Sequence, residues 1–203
     1  ALATRIGPRN TSHPGALAAA EDFVAAALAR AGYRVNWQTY EAAGQQCSNI
    51  FAELRGTQAP HEIVVIGAHY DSFKDSPGAD DNASGVAATL ALARHFADNP
   101  QPRTLRFALF VNEEPPHFWQ RTMGSLVAAR RSRAAEEQIV AMLSLESIGY
   151  YSDEPGSQRY PPLIGSRLSD TGNFVAFVGM PASEDLVRSC MDIFQRSSDV
   201  PCE

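Results

Sequence analysis

Acidic side chains and one histidine follow three apolar segments of the sequence, each at the point where the segment ends. His69 comes directly after the run VVIGA, Glu113 and Glu114 follow LRFALFV and an asparagine, and Glu146 follows AMLSL. Apolar runs of this length are typical of buried strands, and ligands of open α/β sheets gather beyond the carboxyl ends of the strands. We therefore expect these side chains to meet at one edge of a sheet.

Further carboxylates lie in the loop behind His69. Asp71 is close to the histidine, and Asp80 and Asp81 follow a Pro-Gly turn. One imidazole and several carboxylates from separate strand ends form a mixed nitrogen and oxygen donor set, which suits Zn²⁺. Two zinc ions that share a carboxylate can turn a water between them into hydroxide near neutral pH, and a free carboxylate beside them can move its proton. These are the parts of a metal-assisted amide hydrolase.

The predicted helices and strands alternate along the chain, and they position this edge. The alternation implies an α/β fold, a three-layer α/β/α sandwich with a mixed, mainly parallel central sheet. No repeat or linker divides residues 1–203, so we expect a single catalytic domain. The predicted helices cover 16–31, 84–96, 122–133 and 183–194, the predicted strands cover 34–40, 48–54, 63–68, 104–111, 139–145 and 174–179, and a long surface loop covers 150–173.

The composition excludes some classes of partner. The chain has 203 residues, 44% of them hydrophobic and 20% charged, with a formal net charge of −6. No basic run is visible, which argues against a nucleic-acid partner, and no apolar stretch approaches the roughly 20 residues that span a bilayer. Cys190 and Cys202 could pair in an oxidising compartment, but free thiols are equally compatible with the sequence. Oligomeric state is not indicated.

The ordered motifs GAHYDS…PGADDNASG, FVNEE and LSLESIGY resemble those of the zinc aminopeptidases, the co-catalytic di-zinc exopeptidases typified by secreted bacterial leucyl aminopeptidases. The segment IGPRNTSHPGALAAAEDFVAAALARAGYRV resembles the N-terminal helix of that family, so the resemblance spans most of the chain. It implies a metallo-exopeptidase with a peptide or small amide substrate. It also implies a secreted or periplasmic protein, although no signal peptide is present in this sequence.

The resemblance assigns a role to each residue that matches a family motif. His69 corresponds to the terminal ligand of one zinc, and Glu146 completes that zinc where the family usually has aspartate. Asp81 corresponds to the aspartate that bridges the two ions. Glu113 corresponds to the general base, and Glu114 to the terminal carboxylate of the second zinc.

Two further positions follow from the same resemblance. Asp71 corresponds to the acid that orients the ligating histidine, as metal-bound imidazoles usually require. The family's fifth ligand is a histidine late in the chain, whereas no histidine follows His117 here. We therefore expect two zinc ions in a complete site, one of them fully liganded by the residues present, and a chain that is incomplete at its C-terminal end.

Two other functions share this architecture. Glutaminyl cyclases, which use a single zinc, and some carboxypeptidases or other amidohydrolases resemble it and differ in the reaction. Protease-like receptor domains resemble it and have lost the ligands, so that they act as binding domains. The presence of both Glu114 and Glu146 favours hydrolysis.

Several nearby residues have more than one interpretation. Asp80 or Asn82 is expected to cap the following helix, which leaves Asp81 for the metal. His117 is a candidate substitute ligand, but we expect it at the surface or at the rim of a pocket. The pairs Phe118-Trp119 and Tyr150-Tyr151 could line a pocket for an apolar side chain, or they could pack as ordinary core or rim residues.

Overall fold

The structure is a computed structural model that describes residues 1–160 and 168–203. These residues form two compact units, Ala1–Gly149 and Tyr150–Glu203. All of the predicted site residues belong to the first unit. Within the described residues, no helix has the length and apolar character that crossing a membrane requires.

The first unit contains a short π-helix, three α-helices and five strands. The α-helices begin and end where the sequence indicates, since Pro14 occupies the first turn of α1 and Gly32, with φ of 91°, follows its end. The elements are the π-helix Leu2–Ile6, α1 Pro14–Arg30, β1 Val35–Ala42, β2 Gln45–Leu54, β3 Ala59–His69, α2 Ala83–Phe96, β4 Arg103–Phe110, α3 Gly124–Ala134 and β5 Gln138–Ser144.

The five strands form one mixed sheet in the order β1-β2-β4-β3-β5. β1 and β2 form an antiparallel hairpin whose two turn residues, Ala43 and Gly44, both have positive φ, as a tight two-residue turn requires. β2 pairs antiparallel with β4, whereas β3 pairs in parallel with both β4 and β5. The carboxyl ends of β3, β4 and β5 therefore lie at the same edge of the sheet.

Helices cover both faces of the sheet, which confirms the predicted three-layer fold. α1 and α2 pack on one face, where Val24, Leu28, Ile50 and Phe107 are fully buried in the larger apolar core. α3 covers a smaller cluster on the other face, formed by residues of β3 and β4 with Ala128. The sheet therefore holds the strand ends of the site between two packed layers.

β5 differs from the buried strand that its apolar sequence predicts. Ile139, Val140 and Met142 are 37%, 43% and 40% exposed. The reason is the position of β5 at the edge of the sheet, where its only strand partner within residues 1–160 and 168–203 is β3. An apolar run cannot distinguish a central strand from an edge strand, because the difference lies in the partners.

The second unit contains a short 3₁₀-helix, Pro181–Ser183, and α4, Glu184–Ser197. The strand predicted over 174–179 is wrong, since among the described residues this segment forms only a single bridge, from Val175 to Cys202. Val178 is 91% exposed, and a strand needs a continuous partner to satisfy its backbone groups. The described parts of the loop predicted over 150–173 contain no helix or strand, and 161–167 lie outside the described residues.

All three cysteines are free thiols, so Cys190 does not pair with Cys202 in this structure.

Candidate metal centre

His69 is the last residue of β3, and it lies at the centre of the predicted cluster. Its imidazole is almost completely buried, and its Nε2 atom faces three carboxylates. Nε2 lies 3.0 Å from Oδ1 of Asp81, 3.4 Å from Oε2 of Glu146 and 3.7 Å from Oε2 of Glu113. The structure thus brings together at one histidine residues from three separate strand ends and the loop after β3.

Asp71 connects the histidine to the end of β4. Its Oδ1 atom lies 3.3 Å from Nδ1 of His69, the ring nitrogen turned away from the cluster. The same carboxylate accepts backbone hydrogen bonds of 3.1 Å from the N–H groups of Glu113 and of Glu114. Asp71 is itself 1% exposed. It therefore contacts the histidine and fixes the backbone of the two glutamates in a single arrangement.

The two adjacent glutamates follow a sharp change of backbone direction at the end of β4. Asn112 adopts a positive φ of 60°, and its side chain donates a hydrogen bond of 3.2 Å to the hydroxyl of Tyr40. Glu114 is 8% exposed, whereas Glu113 is half-buried. Within the described residues, no hydrogen bond reaches the Glu113 carboxylate, so it is free to exchange a proton. Adjacent acids in this turn thus have distinct environments.

Glu146 follows β5 and is oriented by two hydrogen bonds. The side-chain amide of Asn82 donates to its Oε2 atom at 2.9 Å, and the hydroxyl of Ser147 donates to its Oε1 atom at 2.9 Å. Asn82 also donates to the carbonyl of Leu145 at 2.9 Å and caps α2 by accepting from the N–H of Gly85 at 2.9 Å. The predicted cap is therefore Asn82, and the cap residue also holds the glutamate.

Asp80 has a structural role beside its neighbour Asp81. Its Oδ1 atom accepts a hydrogen bond of 2.6 Å from the N–H of Gly149, and its carbonyl accepts one of 2.7 Å from the hydroxyl of Ser84. The Ser84 hydroxyl in turn accepts from the N–H of Ile148. Asp80 therefore ties the loop after Glu146 to the start of α2 and leaves Asp81 facing His69.

The carboxylates have large effects on the protonation of the cluster. Burial alone would lower the pKa of His69, but hydrogen bonds with Asp71, Asp81 and Glu146 raise that pKa to about 12. The contact with His69 lowers the pKa of Asp81. Burial, followed by the charge of Asp81, raises the pKa of Glu114 to about 7, and burial also raises the pKa of Glu113. The surrounding carboxylates therefore favour a positive charge at the imidazole of His69.

The donor set fits a zinc ion. Two groups of side chains have ligand atoms within 4.8 Å of one another: His69 with Asp81 and Glu146, and His69 with Glu113 and Glu114. In addition, Oε1 of Glu114 is buried without a hydrogen-bond partner among the described residues. Buried polar atoms normally have a partner, and a metal ion is one that carboxylates accept.

The two groups share His69, which limits how many metal ions can use that histidine as a ligand. Nε2 is the ring nitrogen that faces the carboxylates, and one nitrogen lone pair binds one ion. Only one of the two groups can therefore use the histidine at a time. Within the residues that the structure describes, a second ion would have carboxylate ligands alone.

One prediction about a nearby residue is wrong. His117 is buried, with 6% exposure, rather than at the surface or at a pocket rim. Its Nε2 atom shares a hydrogen bond with Thr11 at 3.2 Å, and its Nδ1 atom shares one with Thr122 at 2.8 Å. Both ring nitrogens are thus occupied, and the metal-type groups do not include it. Phe118 and Trp119 are 46% and 79% exposed and contact each other edge to face.

The sequence interpretation missed two residues that hold the site. Ser147 is one of them, and a serine after Glu146 carries no signal by itself. Arg9 is the other, a fully buried arginine in a segment whose pattern indicates only the start of a helix. Asn82 was expected as a cap, but its hydrogen bond to Glu146 depends on β5 approaching α2, which no local pattern shows.

Residues 49–195 of the chain match the family model described as Peptidase family M28. The chain belongs to peptidase family M28. It is 34% identical over 208 residues to the uncharacterized protein YfbL of Escherichia coli K12, covering 98% of this chain and 63% of that protein. It is 35% identical over 118 residues to a probable zinc metalloprotease of Pyrenophora tritici-repentis, covering 54% of this chain and 26% of that protein. The chain thus spans less than two thirds of either relative.

Solved structures share the M28 fold with this chain. Glutaminyl cyclase of Bacteroides thetaiotaomicron superposes with a TM-score of 0.71 at 16% identity, covering 98% of this chain and 72% of that one. The LapA aminopeptidase of Legionella pneumophila superposes with a TM-score of 0.70 at 15% identity, covering 99% of this chain and 50% of that one. One of these proteins is a glutaminyl cyclase and the other an aminopeptidase, so the similarity establishes the fold and does not distinguish between the two reactions.

Proposed function

We propose that this M28 chain carries the catalytic site of a zinc-dependent aminopeptidase, which hydrolyses the N-terminal bond of a peptide. The observation that carries the proposal is the arrangement at His69, where Asp81 and Glu146 face one ring nitrogen while Glu113 keeps an unbonded carboxylate 3.7 Å from it. A hydrolase needs both features, since one set of groups holds the metal and one free base moves the proton.

The residues that would hold the ion are His69, Asp81 and Glu146, and Glu114 would be a carboxylate ligand of a second ion. Zinc, when bound, supplies a Lewis acid and a water of lowered pKa. Asp71 holds the imidazole on its far side, and Asn82 and Ser147 hold both oxygens of Glu146. Residue 146 is a glutamate where the family usually has aspartate. Its longer side chain is oriented by these two hydrogen bonds, and its Oε2 atom lies 3.4 Å from Nε2 of His69.

Glu113 is the proposed general base. Its carboxylate is half-buried, and burial raises its pKa above the usual value of a glutamate, which makes it a stronger base. It would take a proton from the attacking water and deliver it to the amine that leaves. Asp71 fixes the backbone N–H of Glu113, so the base cannot drift away from the cluster.

A glutaminyl cyclase is the second candidate, and a specific observation favours it. Both metal-type groups share His69, so the described residues offer one complete nitrogen-containing site, and the cyclases that resemble this fold use a single zinc. The fold similarity to the Bacteroides thetaiotaomicron cyclase is in agreement with this reading. In a cyclase, Glu113 would move a proton from the substrate's own amine rather than from water.

The reaction product distinguishes the two. Purified protein loaded with zinc is given leucyl-, alanyl- and glutaminyl-anilides, and the products are separated by mass. Free amino acids and free aniline from several anilides would support the aminopeptidase, whereas intact pyroglutamyl-anilide and ammonia from the glutaminyl substrate, with no cleavage of the other anilides, would establish the cyclase. Glu113→Gln serves as the control, because it should remove either activity while the zinc content stays unchanged.

A further inference from the structure

Three consecutive residues before α1 hold both loops that carry the carboxylates of the site. Arg9, Asn10 and Thr11, here called the brace, lie between the π-helix and α1. The neighbouring sequence contributes no metal-type ligand, and the proposed reaction does not use it. Arg9 is nevertheless 0% exposed, and Asn10 is 9% exposed. Polar residues in a connection between two helices would normally be exposed to solvent.

Arg9 uses its buried guanidinium on backbone carbonyls of the loop between His69 and Asp81. Nε donates to the carbonyl of Tyr70 at 2.6 Å, and the two terminal nitrogens donate to Pro77 at 2.5 Å and to Gly78 at 2.9 Å. No carboxylate lies within ion-pair distance of it in the part of the chain that the structure describes. Burying an arginine costs free energy unless its N–H groups are hydrogen-bonded. These hydrogen bonds therefore strongly constrain the backbone of the loop.

The loop closes tightly around the arginine. Gly78 has a φ of 52°, and a Cβ at this position would lie 2.3 Å from the carbonyl oxygen of Asp81 and 3.1 Å from a terminal nitrogen of Arg9. The carbonyl of Gly78 also accepts the N–H of Ala83 at 3.1 Å. The guanidinium, the turn and the backbone of Asp81 therefore pack as one unit.

Asn10 holds the first part of the same loop. Its side-chain amide donates to the carbonyl of Ser72 at 2.8 Å and to the carbonyl of Lys74 at 2.7 Å. The N–H of Ser72 donates to the carbonyl of Arg9, and the Ser72 hydroxyl accepts from the N–H of Arg9, both at 3.0 Å. The chain just beyond Asp71 is thus paired with the brace.

Thr11 reaches the other loop through His117. The hydroxyl of Thr11 and Nε2 of His117 are joined by a hydrogen bond of 3.2 Å, and the N–H of His117 donates to the carbonyl of Glu114 at 3.0 Å. The ring of His117 is buried and pairs with a hydroxyl on each side, Thr11 at Nε2 and Thr122 at Nδ1. The brace therefore contacts the Asp81 loop at one end and the Glu114 loop at the other.

We propose that the brace is a positioning element for the metal: it fixes Asp81 and Glu114 relative to His69, and so sets the affinity of the site for zinc. The inference rests on the proposed zinc site. Arg9 and Thr11 are positioning residues, since neither belongs to the metal-type groups and both act through hydrogen bonds to the loops. Asp71 joins the two loops directly, and the brace adds a second support because it is hydrogen-bonded to both.

The test measures zinc affinity by competition with a chelator, together with the melting temperature of the zinc-free protein. Thr11→Val removes the hydroxyl at constant shape, and Thr11→Ser keeps it. Arg9→Lys keeps a charge but cannot reach three carbonyls at once. We expect the zinc dissociation constant to rise roughly 10- to 100-fold in Thr11→Val and in Arg9→Lys, as for other groups that orient metal ligands. Thr11→Ser and the exposed control Arg5→Gln should bind zinc as the original chain does.

The outcomes separate the brace from the proposed function. The original chain could bind zinc tightly while Thr11→Val and Arg9→Lys bind it with the same affinity. This result would refute the role of the brace in zinc affinity and leave the proposed function intact. An equal loss in Thr11→Ser and Thr11→Val also overturns it, because the hydroxyl would not be the cause. No zinc binding by the original chain removes the proposed function, and the brace with it. If Arg9→Lys does not fold, the pair at Thr11 decides alone.

Discussion

The side-chain amide of Asn82 lies 2.9 Å from Oε2 of Glu146 and donates a hydrogen bond to it. The two residues belong to different elements, since Asn82 caps α2 and Glu146 follows β5. One side chain thus completes the start of a helix and orients a carboxylate of the candidate metal centre. Helix capping and metal binding are therefore coupled at this position.

This coupling predicts the effect of Asn82→Asp. Aspartate can still accept the N–H of Gly85 and cap the helix, but it cannot donate to Glu146, and its charge repels that carboxylate. Because the fully buried aspartate also cannot donate to the carbonyl of Leu145, we expect the free energy of unfolding to fall by about 1–3 kcal/mol. The zinc dissociation constant should rise roughly 10- to 100-fold. Chelator competition and urea titration measure the two effects, with the exposed Asn36→Asp as the control. Unchanged zinc affinity would show that Asn82 does not orient Glu146.

Glu113→Gln tests the proposed base. The amide has nearly the same shape but cannot accept a proton, so kcat should fall roughly 10²- to 10⁴-fold. Zinc content should stay the same, since the proposed ligands are other residues. The measurement is a steady-state assay beside metal analysis, and the exposed Glu136→Gln provides the matched control. A variant with full activity would exclude Glu113 as the base.

Gly85→Ala tests how closely α2 packs against the end of β5. A Cβ at Gly85 would lie 2.2 Å from the carbonyl oxygen of Leu145 and 2.4 Å from Oδ1 of Asn82. Because backbone must move to accept it, we expect a loss of about 1–3 kcal/mol in the free energy of unfolding. Gly15→Ala in α1 has open space and should leave stability unchanged or raise it by up to about 1 kcal/mol. Equal effects of the two substitutions in urea titration would contradict this packing.

The ion pair between Arg106 and Glu137 predicts a dependence of stability on pH. Two hydrogen bonds of 2.6 and 2.8 Å lower the pKa of Glu137 from 4.5 to about 2. Since the folded pKa lies below the unfolded one, the pair stabilises the fold at pH above about 4.5, and this contribution is lost as the pH falls toward about 2. Solvent screens the pair, so its contribution is about 1 kcal/mol.

Glu137→Gln should therefore reduce the free energy of unfolding at pH 7 and have progressively less effect as the pH falls below about 4.5. Urea titrations of both proteins at several pH values give the difference directly. The neighbouring exposed residue supplies the control, since Glu136→Gln removes a carboxylate without an ion pair in the described structure. A difference that does not decrease at low pH would contradict the assignment.

The sequence predicts the fold and the site where local patterns determine them. Apolar runs that end in His69, Glu113 and Glu146 indicate the strand ends, and the α/β alternation places those ends at one edge. The hairpin of β1 and β2 also agrees with the predicted strands 34–40 and 48–54, since its turn lies between them. Each of these features depends on neighbours in the sequence.

The features that could not be predicted depend on contacts between distant segments. His117 is buried because Thr11 and Thr122 enclose its ring, and β5 is exposed because of its place in the strand order. The buried position of Arg9 is set by carbonyls of the loop around Gly78, far along the chain. Within residues 1–160 and 168–203, the apolar segment 174–179 pairs only through the bridge from Val175 to Cys202, which its composition does not reveal. In each case the deciding partner lies more than a few residues away.

Zinc content per chain, determined by elemental mass spectrometry after equilibration with zinc and desalting, decides whether the metal centre exists. We expect at least one zinc in the original chain and in Glu113→Gln, and a loss of it in His69→Ala, because both metal-type groups contain that histidine. A folded chain without zinc, or zinc retained in full by His69→Ala, would contradict the proposed metal centre.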